Sequence, residues 1–337
     1  KQEMKLATIV HGGSEKLAVV HDNDSRVFDL AAAAARAGSA DPAFASMLDL
    51  IDGGDRALDA ARSVFEKRSG EADLSHRLAD VTLLAPLPLP RQMRDGMSFP
   101  QHILQSPRGS ARMAARARGD MEELARLDRE PLGELPEVYR QVPIYYITNR
   151  FTVGAPGSTV NWPRYSKVMD YELELGCITK GKGSDIPASK AKDHIFGFTI
   201  FNDFSARDAQ RIEMAGRLGP AKGKSFNGSN VLGPWIVTAD EIGDPYALRM
   251  QARINGETVC DNVSRGMLFS FEEIIAHMSQ DETIMPGEFI GSGTVGNGCG
   301  LENGRLLADG DRIELEIEKI GILANSVKVQ VPKAAAA

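Results

Sequence analysis

Apolar and polar positions alternate in short runs through the first thirty residues. Residues 6–10, 17–20 and 26–30 each read as a strand, parted by the turn signals Gly12-Gly13 and Asn23-Asp24. The period then changes. Phe44, Met47, Leu48 and Ile51 fall at helical spacing between 31 and 66, with Gly53-Gly54 as a break. Residues 1–85 are expected to form a small α+β domain. Pro86, Pro88 and Pro90 interleave with leucines and predict an extended connector. Residues 91–109 show few periodic apolar positions. Residues 110–130 carry Arg112, Arg116, Arg118, Arg126 and Arg129 among acids, which predicts one solvated helix of mixed charge.

From residue 143 the pattern is strand-rich. Residues 194–202, 234–238, 288–292 and 312–331 are β-prone, and 248–260 form a hairpin about Asn255-Gly256. Ser270 and Glu273 spell a capping box opening a helix to about 279. Strands do not alternate regularly with helices, and no repeat occurs. The predicted fold class is α+β, with a mostly β second domain of large antiparallel or mixed sheets over 86–333, and a tail at 334–337.

A length of 337 residues suits about two domains. The net charge of −7 argues against a nucleic-acid partner. No apolar run reaches ~18 residues, so no membrane partner is expected. Nothing near Lys1 resembles a secretory leader, and cytoplasmic placement is the expectation. Cys177, Cys260 and Cys299 are widely spaced and expected to stay reduced.

Two glycine-rich segments look like phosphate loops. Gly291, Gly293 and Gly296 match GxGxxG, but no helix is predicted after them. Gly219 and Gly223 stand one residue too close for a Walker loop. The more informative segment is Asp170-Tyr171-Glu172-Leu173-Glu174. On a strand these three acids share one face, which either water or a hard divalent cation would satisfy. Farther on, an apolar strand ends at Asn202-Asp203, followed by Arg207 and Gln210. Lys224 then lies in a glycine-rich loop, either exposed or as a cation inside a pocket.

Taken in order, Glu-x-Glu, Asn-Asp-x-Ser-Ala-Arg-Asp-x-Gln, Gly-Lys-Ser-Phe, Gly-Pro-Trp-Ile-Val-Thr and Gly-Ser-Gly-Thr resemble the fumarylacetoacetate hydrolase family over about 143–330. That resemblance implies a β-roll-like C-terminal domain and a carboxylate-bound divalent metal, Mg²⁺ first, Ca²⁺ or Mn²⁺ otherwise. It implies hydrolysis of a C–C bond between carbonyls of a small diketo acid, or decarboxylation or isomerisation of a related keto acid. A homodimer is also implied. Residue by residue, it makes Glu172, Glu174 and Asp203 metal ligands. The enzyme that gives the family its name has an Asp seven residues before its catalytic His, a spacing that Asp95 and His102 repeat. It also has a Glu eight residues after the motif threonine, as Glu302 follows Thr294. Asp95 is then the fourth ligand, and His102 with Glu302 the water-activating pair. Lys224 would hold the leaving enolate, and Arg207, Gln210, Tyr146 and Thr294 would meet substrate. Met97 and Met214 stand where the family carries aromatic side chains.

Overall fold

The computed structural model describes residues 4–334. Residues 335–337 of the expected tail lie outside them. Among the described residues the strands form one twelve-stranded mixed sheet, one five-stranded sheet and one two-stranded ribbon. Ten strands of the large sheet run Ser75–Arg77, Arg26–Asp29, Ser14–His21, Lys5–His11, Asn230–Thr238, Ile195–Asp203, Leu173–Thr179, Phe289–Gly291, Met93–Gly96, Tyr145–Ile147, while Thr82–Leu83 pairs with Lys5–His11 and Val153–Gly154 with Asn230–Thr238. The N-terminal strands join it through Lys5↔Val237 and Leu6↔Ile236. The five-stranded sheet holds Glu257–Val263, Arg249–Ile254, Arg312–Ile317, Gly321–Val329 and Thr159–Trp162.

Three layers result, and the side-chain period of two explains them. Along the central strands successive residues point to opposite faces. Phe201, Leu232 and Ile236 pack into one core with Phe44, Leu50 and Phe65 from the helices of the first 68 residues. Ile200, Val231 and Val237 pack into the other with Met250, Leu315 and Leu323 of the smaller sheet. Both faces of the large sheet are thereby covered, and Ile195–Asp203 is buried along its whole length. No helix among the described residues is long and apolar enough to cross a membrane.

Local signals placed several elements well. Asn255 and Gly256 take positive φ in the hairpin turn, and Ser270 and Glu273 make both bonds of a capping box on Phe271–Met278. Three expectations need correction. His102, in the stretch with few periodic apolar positions, stands in the first turn of a helix, Pro100–Arg118, whose opening residue Pro100 occupies a position where no intrahelical N–H bond is lost. The single helix expected over 110–130 is two, because Gly119 takes a left-handed φ of 69° and Asp120 caps a new helix, Met121–Arg129. The acid-bearing strand has no wet face. Met169–Asp170 and Leu173–Thr179 are separate strands, buried on both sides.

Candidate active site

Three carboxylates converge across four neighbouring strands. Asp203 ends Ile195–Asp203, Glu174 lies on Leu173–Thr179, and Asp95 lies on Met93–Gly96. Phe289–Gly291 runs between the last two and places Gly291 opposite Asp95. A Cβ on Gly291 would sit 2.1 Å from Asp95 Oδ1 and 3.0 Å from Glu174 Oε2. The two acids meet over this glycine because it has no side chain. One oxygen each from Asp95, Glu174 and Asp203 lies within 4.8 Å of the others, and the residues are 3%, 0% and 0% exposed.

The electrostatics of this cluster are unfavourable without a counter-charge. Burial, then the Asp203 charge, pushes the Asp95 carboxyl well above its ordinary range. Burial, then Asp95, does the same to Glu174. Burial also raises Asp203, although Lys224 opposes it. Asp95 Oδ1 and Asp203 Oδ1 are buried without a hydrogen-bond partner. Clustered oxygens with unused lone pairs, and a cradle that a Cβ would fill, fit a hard divalent cation.

Glu172 is placed differently from the other three acids. Its Oε1 accepts from Lys224 Nζ, from Ser205 Oγ at 3.0 Å and from Arg207 Nη1 at 3.1 Å, and its Oε2 accepts from Thr294. Burial alone would raise its pKa, but Lys224 and then Arg207 outweigh that and hold it below the carboxylate range. Lys224 also donates to Asp203 Oδ2 at 2.8 Å and to Ser205 Oγ at 2.6 Å. Burial would lower this ammonium, yet Asp203 and Glu172 keep it above its ordinary value. Tyr146 donates to Asp203 Oδ2 at 3.1 Å. Gln210 Oε1 accepts from Arg207 Nη1 at 2.9 Å, while Arg207 Nη2 is a buried donor with no partner.

The second half of the site is an imidazole–carboxylate pair. His102 Nδ1 lies 2.7 Å from Glu302 Oε2, and both side chains are buried. A carboxylate only accepts, so Nδ1 carries the proton and Nε2 the lone pair. Glu302 belongs to a short helix, Gly300–Asn303, and its other oxygen accepts from Asn297 N at 3.0 Å. A backbone bridge between Glu172 and Cys299, whose Sγ lies 3.2 Å from Glu302 Oε2, sets the pair beside the carboxylates.

Three contributors escape sequence reasoning. Asp170 accepts from Gly300 N at 2.7 Å, Leu301 N at 3.2 Å and Arg207 Nε at 2.8 Å, tying the Glu302 helix to Arg207. It was visible as the first acid of the triplet, but alternation gives it no separate role. Ser205 was visible only as a motif position. Gly291 was visible in a glycine pattern set aside as a phosphate loop and as the first residue of the Gly-Ser-Gly-Thr motif, neither of which assigns it a place beneath two acids. Of the two methionines, Met97 Sδ meets Tyr139 OH at 3.7 Å, and Met214 is 49% exposed.

This layered arrangement is shared with known proteins. The chain belongs to the fumarylacetoacetate hydrolase family: residues 115–328 match the family's fumarylacetoacetate (FAA) hydrolase C-terminal domain. Members of this family are enzymes. The chain is 36% identical over 186 residues to human oxaloacetate tautomerase FAHD2A, mitochondrial, covering 55% of this chain and 59% of that protein, less than two thirds of its length. It is 28% identical over 313 residues to oxaloacetate tautomerase YisK of Bacillus subtilis, covering 90% of this chain and 94% of that protein. Among solved structures, a fumarylacetoacetate hydrolase from Exiguobacterium antarcticum superposes with a TM-score of 0.70 at 26% identity, covering 97% of this chain and all of that one.

Proposed function

We propose that this chain is a metal-dependent enzyme that moves a proton at the carbon between two carbonyl groups of a 2-oxo acid, interconverting keto and enol forms of an oxaloacetate-like substrate. The observation that carries this reading is the buried His102–Glu302 pair set beside three converging carboxylates. Alignment with YisK along nearly the whole chain supports the substrate class. Asp95, Glu174 and Asp203 would hold the cation, with Glu172 beside them. When bound, the cation supplies Lewis-acid polarisation of the substrate's carbonyl oxygens.

The chain's own groups do the rest. His102 Nε2 takes the proton from the carbon acid and delivers it to the enolate oxygen, and the reverse transfer regenerates the keto form, with Glu302 holding the ring and stabilising its charge. Lys224 stays an ammonium and balances the surrounding acids. Arg207 Nη2 is a donor in want of an acceptor, which a substrate carboxylate or enolate oxygen supplies.

Hydrolysis of a C–C bond is the second reading, supported by the likeness to the Exiguobacterium hydrolase. There His102 would deprotonate water, and an acylpyruvate would yield pyruvate and a carboxylic acid. One assay separates the two. Enol decay of oxaloacetate is followed by absorbance, and pyruvate release from a panel of acylpyruvates is measured in parallel, each with and without chelator. Chelator-sensitive acceleration of enol decay without pyruvate release supports the tautomerase. Chelator-sensitive cleavage supports the hydrolase, and activity indifferent to chelator overturns both. The homodimer stands as a further proposal, tested by sedimentation equilibrium.

A further inference from the structure

His102, Glu302 and Cys299 make a second set of donors that the proposed reaction uses only in part. Cys299 Sγ lies 3.2 Å from Glu302 Oε2 and 3.9 Å from His102 Nδ1, and Nδ1 lies 2.7 Å from Oε2. Three atoms with those separations lie on a circle of radius about 2.0 Å, and a Zn²⁺ ion wants ~2.0–2.1 Å to nitrogen, ~2.0–2.2 Å to oxygen and ~2.3 Å to sulfur. An ion slightly above the plane of the three atoms meets those lengths with movements of a few tenths of an ångström, leaving its fourth position open. The donors are preorganised, because Glu302's remaining oxygen is fixed by Asn297 N and Cys299 is wholly buried.

The chemistry differs from that of the carboxylate cluster a short way off. Asp95, Glu174 and Asp203 offer oxygen alone, which suits Mg²⁺, Ca²⁺ or Mn²⁺. The second set offers nitrogen, sulfur and oxygen, a combination suited to a thiophilic ion. We infer that His102, Cys299 and Glu302 form an inhibitory site for a thiophilic divalent cation such as Zn²⁺, separate from the hard-cation site beside it.

Proton accounting shows why occupancy stops the enzyme. In the resting pair the ring proton sits on Nδ1 and the lone pair on Nε2. Coordination through Nδ1 leaves the neutral ring protonated at Nε2, so the base has no lone pair to offer. Cys299 gives up its thiol proton to solvent and binds as thiolate, and no electron is transferred. The cation thus removes the base without displacing the cation that polarises substrate.

The test is binding to the resting, Mg²⁺-saturated protein, which does not depend on what the enzyme turns over. Cd²⁺ should bind with one equivalent per chain and give an ultraviolet thiolate-to-Cd²⁺ charge-transfer band. Zn²⁺ should compete for the same equivalent, release a proton measurable by calorimetry in buffers of different ionisation enthalpy, and inhibit in a way that excess Mg²⁺ does not relieve. Cys299→Ser keeps a donor to Glu302 and removes the soft ligand. It should abolish the band and weaken Zn²⁺ by at least about tenfold, the least that loss of a direct ligand should cost. Cys177→Ser and Cys260→Ser should keep the band. Displacement of Cd²⁺ by Mg²⁺, or a band that survives in Cys299→Ser, overturns the inference. If Cys299→Ser does not fold, absence of proton release and band in the wild-type protein still does so.

Discussion

Asp95 and Glu174 approach each other only because position 291 has no side chain. Gly291→Ala would place a methyl group 2.1 Å from Asp95 Oδ1. The flexible carboxyl, rather than the strand, would yield. The expected outcome is weaker Mg²⁺ binding by calorimetry with the fold retained by circular dichroism. At His102 the expectation is the reverse. His102→Ala should cut turnover by about 10²–10⁴-fold, the usual worth of a general base, and leave Mg²⁺ affinity near wild type. Glu302→Gln should lose a comparable amount. The double variant should lose little more than either single one, because Glu302 acts on the reaction through the His102 ring it holds. Additive losses in kcat would show that the two side chains act separately. Loss of Mg²⁺ affinity in His102→Ala would show that the imidazole belongs to the cation site.

The helix that carries His102 and the one that carries Glu302 are held together by a second glycine. A Cβ on Gly109 would meet Leu301 O at 2.0 Å and Leu301 C at 2.6 Å, both backbone atoms that cannot swing away. Gly109→Ala should therefore push Pro100–Arg118 off Gly300–Asn303. It should cost about 1–3 kcal/mol of stability by overpacking. It should also lower kcat more than it changes KM, since the imidazole–carboxylate bond lengthens while the carboxylate cluster is untouched. Thermal melts and steady-state kinetics on the one variant check both. This contact also explains what the sequence pattern hid. Pro100–Arg118 buries His102, Ile103, Gly109 and Ala115, so its inward face lacks the row of large apolar residues that marks a helix. By contrast Asn255-Gly256 and the Ser270–Glu273 capping box are local chemistry, and both were legible. So was the ordered set of acids, lysine and arginine that composes the site. Their division of labour was not. Alternation cannot tell an acid left with a buried, unpartnered oxygen, as Asp95 is, from one already neutralised by Lys224 and Arg207, as Glu172 is, because the neutralising groups arrive from 35 and 52 residues away.

At the scale of the whole molecule the site is a cost that the two cores carry. Three carboxyls with raised pKa values are buried together on the large sheet, where Lys224 and Tyr146 donate to Asp203. Burying like charges without a counter-ion destabilises the folded state. A cation that binds only that state should restore stability by mass action, about 2.7 kcal/mol at a hundredfold excess over Kd. Mg²⁺ should raise Tm, and a chelator should reverse the rise. Asp95→Asn makes the argument sharper. Asp95 has one buried oxygen with no partner, and its charge raises the pKa of Glu174. An amide of the same shape removes a charge from the cluster and brings an N–H₂ that can donate to Glu174. In the metal-free state Asp95→Asn should melt at a temperature equal to or above that of the wild type. On addition of Mg²⁺ the wild-type Tm should rise while that of the variant barely moves, so the order of the two proteins reverses. A variant that melts lower than wild type without metal would show that Asp95 holds the fold by its charge rather than straining it. A variant that still gains the full Mg²⁺ shift would remove Asp95 from the cation site.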